Sequence, residues 1–203
     1  MGLSWKKWNR SDIIYGIVVP LVVVLLIVGL SQLGSFFRGG SMGIVTGIIG
    51  EIEEMVVIVG VPLLLGLAWN RWAGGASGFL LGSVYAIWWA VKYDIFSYGT
   101  VPRGSTGFGP TILGWVLSAM LIGYMAGALN KRSENFLRMV VVGIVSTTVG
   151  GLFLFGMFQL SPSNVVVGLD GFLITVLTRT ASGVIIAVIA KVFMWYGVAL
   201  HKI

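Results

Sequence analysis

The sequence predicts an all-helical membrane protein, a bundle of six transmembrane helices with both termini in the cytoplasm. Of its 203 residues, 57% are hydrophobic and only 10% are charged, whereas a soluble domain carries about 25% charged residues. Stretches without charge recur along the chain, and each is close to the roughly 20 residues that a helix needs to cross a bilayer. Six such spans would use the chain up, so we expect one integral membrane domain over residues 1–203.

The charge-free stretches place the spans in order. The first follows Lys6, Lys7 and Arg10, and its length favours a retained helix over a cleaved signal peptide. The spans are expected at about 13–33, 44–69, 74–91, 110–129, 139–160 and 172–190, with an interfacial end at 191–203. In the second span, Pro62 lacks the N–H that would bind the carbonyl of Ile58, so a kink is expected there.

Basic residues set the orientation. With the N-terminus in the cytoplasm, nine of the 13 Lys and Arg residues fall on the inner side, three fall outside, and Arg179 lies within the sixth span. Cytoplasmic segments of membrane proteins are enriched in Lys and Arg. We therefore expect a multi-pass protein of the cell (cytoplasmic) membrane.

Composition also limits the chemistry. The chain has no Cys and a single His, His201, so thiol chemistry, thiolate metal sites and His clusters are excluded. No Ser/His/Asp set, general-base pair or metal-ligand spacing is present. We expect no catalytic residue, no metal and no cofactor, and hence no enzyme. The basic residues are scattered rather than gathered in one stripe, which argues against nucleic acid as a partner.

Small residues recur at four-residue spacing in three of the predicted spans. The rows are Gly74, Gly78 and Gly82 in the third span, Gly123 and Gly127 in the fourth, and Gly183 and Ala187 in the sixth. Rows of this kind let helix backbones approach closely within lipid. They predict packing within the chain's own bundle or, alternatively, a docking face for a partner subunit.

Two charged features lie within or beside the apolar spans. Glu51 and Glu54 are three residues apart and would share a helix face, either lining an outward-open cavity or lying solvated at the outer interface together with Glu53. Arg179 lies too deep in its span to reach water easily. It should point into the bundle, toward Glu51, Glu54 or an anionic ligand group, as a ligand-binding residue or as a purely structural ion pair.

Aromatic residues cluster in the outer half of the third span. Tyr85, Trp88 and Trp89 share one helix face and would either stack on a flat heterocyclic ligand or form an aromatic belt at the membrane surface. The outer loop over 92–109 carries Asp94 and is long enough to act as a lid. The predicted ligand-binding residues are Arg179, Glu51, Glu54, Tyr85, Trp88 and Asp94.

Two stretches resemble a known family. The residues from Pro62 to Gly82 (PLLLGLAWNRWAGGASGFLLG) form a span, a short turn and a Gly-rich helix start, and those from Gly123 to Arg132 (GYMAGALNKR) form a helix that runs into a basic turn. In this order of features the chain resembles the substrate-binding membrane subunit of energy-coupling-factor vitamin transporters. That family often has two alanines four apart in its first helix for docking on the coupling subunit, where this chain has Gly16 and Pro20.

The resemblance implies a protein that captures a small vitamin-like solute at the outer face and works with a separate scaffold subunit and two ATPases. The expected partners are the lipid bilayer, other membrane subunits and a small-molecule ligand. A second hypothesis is a non-catalytic structural subunit of a larger membrane complex, in which the glycine rows and exposed Trp residues are partner surfaces and Arg179 pairs across an interface. A cation channel built on the glutamates is the third hypothesis, although the chain has no recognisable filter sequence.

Overall fold

The computed structural model describes residues 13–18, 21–22, 54–95, 110–160 and 169–195. These residues form helices, with short turns between Ala68 and Arg71 and between Asn130 and Phe136, and no strand occurs among them. A single helical turn, Ile14–Val18, precedes five longer helices. They are α1 (Met55–Ala68), α2 (Arg71–Ile95), α3 (Pro110–Asn130), α4 (Phe136–Gln159) and α5 (Leu169–Trp195).

Three of the helices have the length and apolarity to cross a membrane. They are Ile112–Asn130 within α3, all of α4 and all of α5, and α1 is a shorter apolar helix. Large apolar side chains such as Leu137, Ile174 and Ile185 point outward from the bundle. Such surfaces suit lipid contact, so the class of helical membrane protein is supported. Six spans and cytoplasmic termini stay predictions.

Consecutive helices run antiparallel, and glycines set how closely they approach. In the contact of α2 with α3, Gly74 meets Gly123, Gly78 meets Ala119, and Gly82 meets Val116. A Cβ atom on Gly78 would overlap the backbone carbonyl of Ala119. This contact of backbone on backbone, the glycine seam, therefore requires residues without side chains.

The other contacts follow the same pattern. Gly150 of α4 packs against Ile122 of α3, and Gly143 of α4 packs against Gly183 of α5. The hydroxyls of Thr148 and Thr180 are hydrogen-bonded across the α4–α5 contact at 2.9 Å. Because α1, α3 and α5 point one way and α2 and α4 the other, the bundle has two ends, and each collects a different kind of residue.

Helix α1 begins with a wide turn. Its first part, Met55–Gly60, is π-helical, and the N–H of Val61 binds the carbonyl of Val56, five residues back. Pro62 lies in the first turn of the ordinary α-helical part that follows, Val61–Ala68. A proline ring collides with the carbonyl four residues before it in an α-helix, so the wider turn accommodates Pro62. At this proline the structure has a π-helical turn, and the kink expected from the sequence stays a prediction.

Basic residues gather at one end of the bundle, here called the basic end. These are Arg71, Lys131, Arg132, Arg138 and Lys191. Arg138 donates to the carbonyl of Leu129 at 2.7 Å, and Lys191 donates to the backbone carbonyl of Glu134 at 2.7 Å. These bonds satisfy carbonyls near the α3–α4 connection, where helical partners are missing.

The turn between α3 and α4 has left-handed backbone at Lys131 (φ 50°) and Arg132 (φ 61°). For residues with a Cβ atom, this conformation is strained. Buried Asn130 holds it in place, since its side-chain amide donates to the carbonyls of Leu67 at 2.9 Å and Ser133 at 3.1 Å. The turn is thus fixed to the end of α1.

Two helices are longer than expected. Helix α2 runs from Arg71 to Ile95 instead of 74–91, and α5 continues without a break to Trp195. The interfacial segment predicted from residue 191 is therefore, as far as Trp195, part of α5. Its continuation is supported by Lys191, whose ammonium bonds to the α3–α4 connection. Most of the predicted first span lies outside the described residues.

Candidate functional site

The end of the bundle opposite the basic end, here called the site end, brings together the start of α1, the later half of α2 and the early part of α5. Glu54 immediately precedes α1, Tyr85 lies on α2, and Arg179 lies on α5. Arg179 is ten residues beyond Leu169, about 15 Å along the helix at 1.5 Å per residue. Its guanidinium is consequently well inside the apolar bundle.

Arg179 and Glu54 form an ion pair between α5 and α1. Nη2 of Arg179 donates to Oε1 of Glu54, and the two side chains are only 4% and 19% exposed. Nη1 of Arg179 donates to the backbone carbonyl of Thr175 at 3.1 Å. Removing one member of a buried ion pair typically costs about 3–5 kcal/mol, because the other charge is left uncompensated. Each charge therefore depends on the other to remain buried.

Aromatic side chains lie beside the Glu54 carboxylate. The hydroxyl of Tyr85 donates to Oε2 of Glu54 over 3.4 Å. The Tyr85 ring meets buried Trp115 edge-on at a centroid distance of 5.5 Å and lies 5.9 Å from Trp88. Trp115 in turn contacts Phe158 at 6.3 Å. The ion pair thus adjoins a ring cluster that draws on α2, α3 and α4.

Gly151 of helix α4 lies next to Arg179. A Cβ atom on Gly151 would lie 3.3 Å from Cα of Val176 and 3.5 Å from Cδ of Arg179. The glycine therefore lets α4 approach the backbone of α5 closely at Val176, beside the stem of Arg179.

One nitrogen of Arg179, Nε, has no acceptor among the described residues. This nitrogen is also buried. A buried donor without an acceptor costs about 1–3 kcal/mol. Arg179 therefore combines a satisfied ion pair with an unsatisfied N–H on the same planar group.

The structure brings together part of the predicted set. The pairing of Arg179 with an acid, expected to be Glu51 or Glu54, is confirmed for Glu54, and Tyr85 and Trp88 lie in the adjoining ring cluster. Glu51 and the side chain of Asp94 lie outside what the structure describes. The ligand-binding role of all six residues stays a prediction.

The glycine rows have an internal use. Gly74, Gly78 and Gly82 face α3, while Gly123 and Gly127 face α2 and the turn before it. Of the two interpretations offered by the sequence, packing within the chain's own bundle is the one observed. These glycines are covered by backbone and are not available as a docking face.

Three contributors to the site were not predicted: Trp115, Thr175 and Gly151. Trp115 is one apolar residue among many in its span, and Thr175 contributes a backbone carbonyl, which no sequence pattern reveals. Gly151 could have been noticed in the sequence because it forms a pair with Gly150 among larger residues, and such a pair indicates a close helix contact.

Within the described ranges, no group of three His, Cys, Asp or Glu side chains lies close enough to hold a metal ion. Comparison of this chain with models of known protein families, with curated proteins and with solved structures finds no match.

Proposed function

We propose that this protein is a membrane-embedded binding subunit for the uptake of a small vitamin-like solute, working with separate coupling ATPases. The observation that supports the proposal is the buried Arg179–Glu54 pair beside the Tyr85 ring cluster, with Nε of the guanidinium lacking an acceptor among the described residues. Charged groups inside a transmembrane bundle are costly and commonly mark a solute or ion pathway.

The position of the pair supports a binding role over a purely structural one. An ion pair is not needed to hold α1 and α5 together, since apolar packing such as Gly60 against Ile186 already joins them. Replacing buried ion pairs with apolar residues is often neutral or stabilising. A bundle that nevertheless carries this pair next to aromatic rings offers both polar recognition and flat apolar contact, as small-molecule sites do.

The alternative of a structural subunit in a larger membrane complex takes the glycine rows and exposed Trp residues as partner surfaces, with Arg179 paired across an interface. The glycine rows of α2 and α3 pack against each other. Purification from native membranes separates the two hypotheses. Co-purification with ATPases is expected for an uptake subunit, while stoichiometric recovery within a redox complex would favour the structural alternative.

A ligand screen tests the binding function itself. The purified protein would be screened in detergent by thermal shift against a library of small water-soluble solutes. We expect at least one solute to raise the Tm of the wild type. The same solute should have little effect on Arg179→Lys, which keeps the positive charge but lacks the planar fork of the guanidinium.

Arg138→Lys is the matched control, because it makes the same change in an exposed arginine at the basic end. It should respond to the solute as the wild type does. If no solute in the library shifts the wild type, or if Arg179→Lys and Glu54→Gln both retain every shift, the proposed function is wrong.

A further inference from the structure

We infer that the ligand of the Arg179–Glu54 site is a planar solute without net charge that carries an amide-type group, a carbonyl acceptor next to an N–H donor. This inference rests on the proposed function and adds the chemical class of the solute. Three properties of the site lead to it: the balance of its charges, the hydrogen-bonding atoms it has left, and the rings beside it.

Charge balance comes first. Arg179 and Glu54 contribute one positive and one negative charge, and both are largely removed from solvent. Among the described side chains no other charged group contacts the pair. A solute with a net charge would leave the buried site charged, which is unfavourable in a low-dielectric interior. A neutral solute leaves the existing pair intact.

The remaining hydrogen-bonding atoms define the polar group. Nε of Arg179 is a buried donor with no acceptor among the described residues. Oε2 of Glu54 accepts one long bond, 3.4 Å, from Tyr85, and a carboxylate oxygen has room for a second donor. The pair thus offers a donor and an acceptor held close together by the bond between the two residues. An amide matches it, since the carbonyl accepts from Nε and the N–H donates to Oε2.

The neighbouring rings favour a flat solute. Tyr85 delivers its hydroxyl to Glu54, and its ring is flanked by Trp88 and Trp115. A planar group bonded to Oε2 would lie beside these rings, where offset or edge-on aromatic contacts are favourable. An amide attached to a six-membered aromatic ring meets all three requirements.

Three probes of the same shape test the charge requirement. Benzamide is neutral and has the carbonyl and N–H of the expected group, benzoate is anionic, and benzamidine is cationic at neutral pH. Binding of each to the purified protein would be measured by isothermal titration calorimetry at one pH. We expect benzamide to bind the wild type about tenfold or more tightly than either charged probe.

Two variants should change which of the three probes binds most tightly. Glu54→Gln leaves the guanidinium uncompensated, so benzoate should become the best of the three probes. Arg179→Gln leaves the carboxylate uncompensated, so benzamidine should become the best. Arg138→Gln, at the basic end, is the control and should keep the wild-type order.

The wild-type comparison decides the inference even where a variant fails to fold. The inference is overturned if either charged probe binds the wild type as tightly as benzamide, or if none of the three binds. In that case a library solute that carries net charge and depends on Arg179 would leave the proposed function standing. If no solute in the library binds, both the inference and the proposed function are wrong.

Discussion

The two ends of the bundle handle charge in opposite ways. At the basic end, exposed Arg138 binds a backbone carbonyl in the last turn of α3, and half-buried Lys191 binds one in the α3–α4 connection. At the site end, a guanidinium and a carboxylate bind each other inside the bundle, and one guanidinium nitrogen has no acceptor among the described residues. Unpaired carbonyls near the helix ends explain the bonds at the basic end, but they do not explain an ion pair inside the bundle. For this reason we interpret the site end as functional.

The largest difference between the ends should appear on removal of an arginine. Arg179→Met leaves Glu54 buried without its partner, so unfolding free energy should fall by about 3–5 kcal/mol. Arg138→Met removes an exposed side chain bonded to one carbonyl, and about 1 kcal/mol or less is expected. Denaturant titration of the purified protein in micelles measures both.

The double variant Glu54→Leu/Arg179→Met sharpens this comparison. Removing both charges together should recover most of the stability lost in Arg179→Met, because no unpaired charge remains. Equal losses for Arg179→Met and Arg138→Met would show that the two ends do not differ as described.

The glycine seam holds α2, and with it Tyr85, in place. Gly78→Ala puts a Cβ atom into the backbone of Ala119 and should cost about 3 kcal/mol, since neither helix backbone can give way locally. Gly156→Ala is the matched control, because no atom lies within 4 Å of its added Cβ. Both would be followed by thermal unfolding, and a Tm for Gly78→Ala equal to that of Gly156→Ala would contradict the seam.

A smaller effect is expected from the buried polar group of the basic end. Asn130→Ala removes two hydrogen bonds and leaves the carbonyl of Leu67 without its side-chain donor. A loss of about 2 kcal/mol is expected in the same unfolding assay. Ser133→Ala serves as its control, because this change keeps the backbone carbonyl that Asn130 binds and removes only the exposed, 3.3 Å bond from the Asn135 N–H to the Ser133 hydroxyl. A neutral Asn130→Ala variant would mean that the turn does not depend on this amide.

The smallest expected effect concerns the left-handed turn. Lys131→Gly and Lys131→Ala both remove the charge, but only glycine relieves the strain at φ 50°. The glycine variant should be more stable than the alanine variant by about 1 kcal/mol. If alanine is the more stable of the two, the backbone of this turn is not strained.

Local pattern was sufficient for several of these features. The charge-free stretch at 110–129 predicted the bounds of α3 to within one residue. An apolar run of this length between polar residues is most stable as a helix that crosses the bilayer. The depth of Arg179 in its helix indicated an acidic partner, because a buried guanidinium needs one. The four-residue spacing of Gly74, Gly78 and Gly82 indicated close packing for a similar reason.

The sequence left other features open. It could not tell Glu51 from Glu54 as the partner of Arg179, since both would lie on one helix face. It also gave no sign that Trp115 would stand beside Tyr85, or that Asn130 would reach Leu67 across 63 positions. Such contacts depend on where whole helices are placed, which no short stretch contains.

By itself, then, the sequence predicted a helical membrane protein, the extent of α3 and the inward direction of one arginine. These follow from the cost of placing polar groups in lipid, which acts on each segment separately. Only the tertiary structure decided which segment supplies the carboxylate, which glycines face each other and which guanidinium nitrogen lacks an acceptor. Those outcomes arise because all the described helices must pack together at once, and each contact depends on the others.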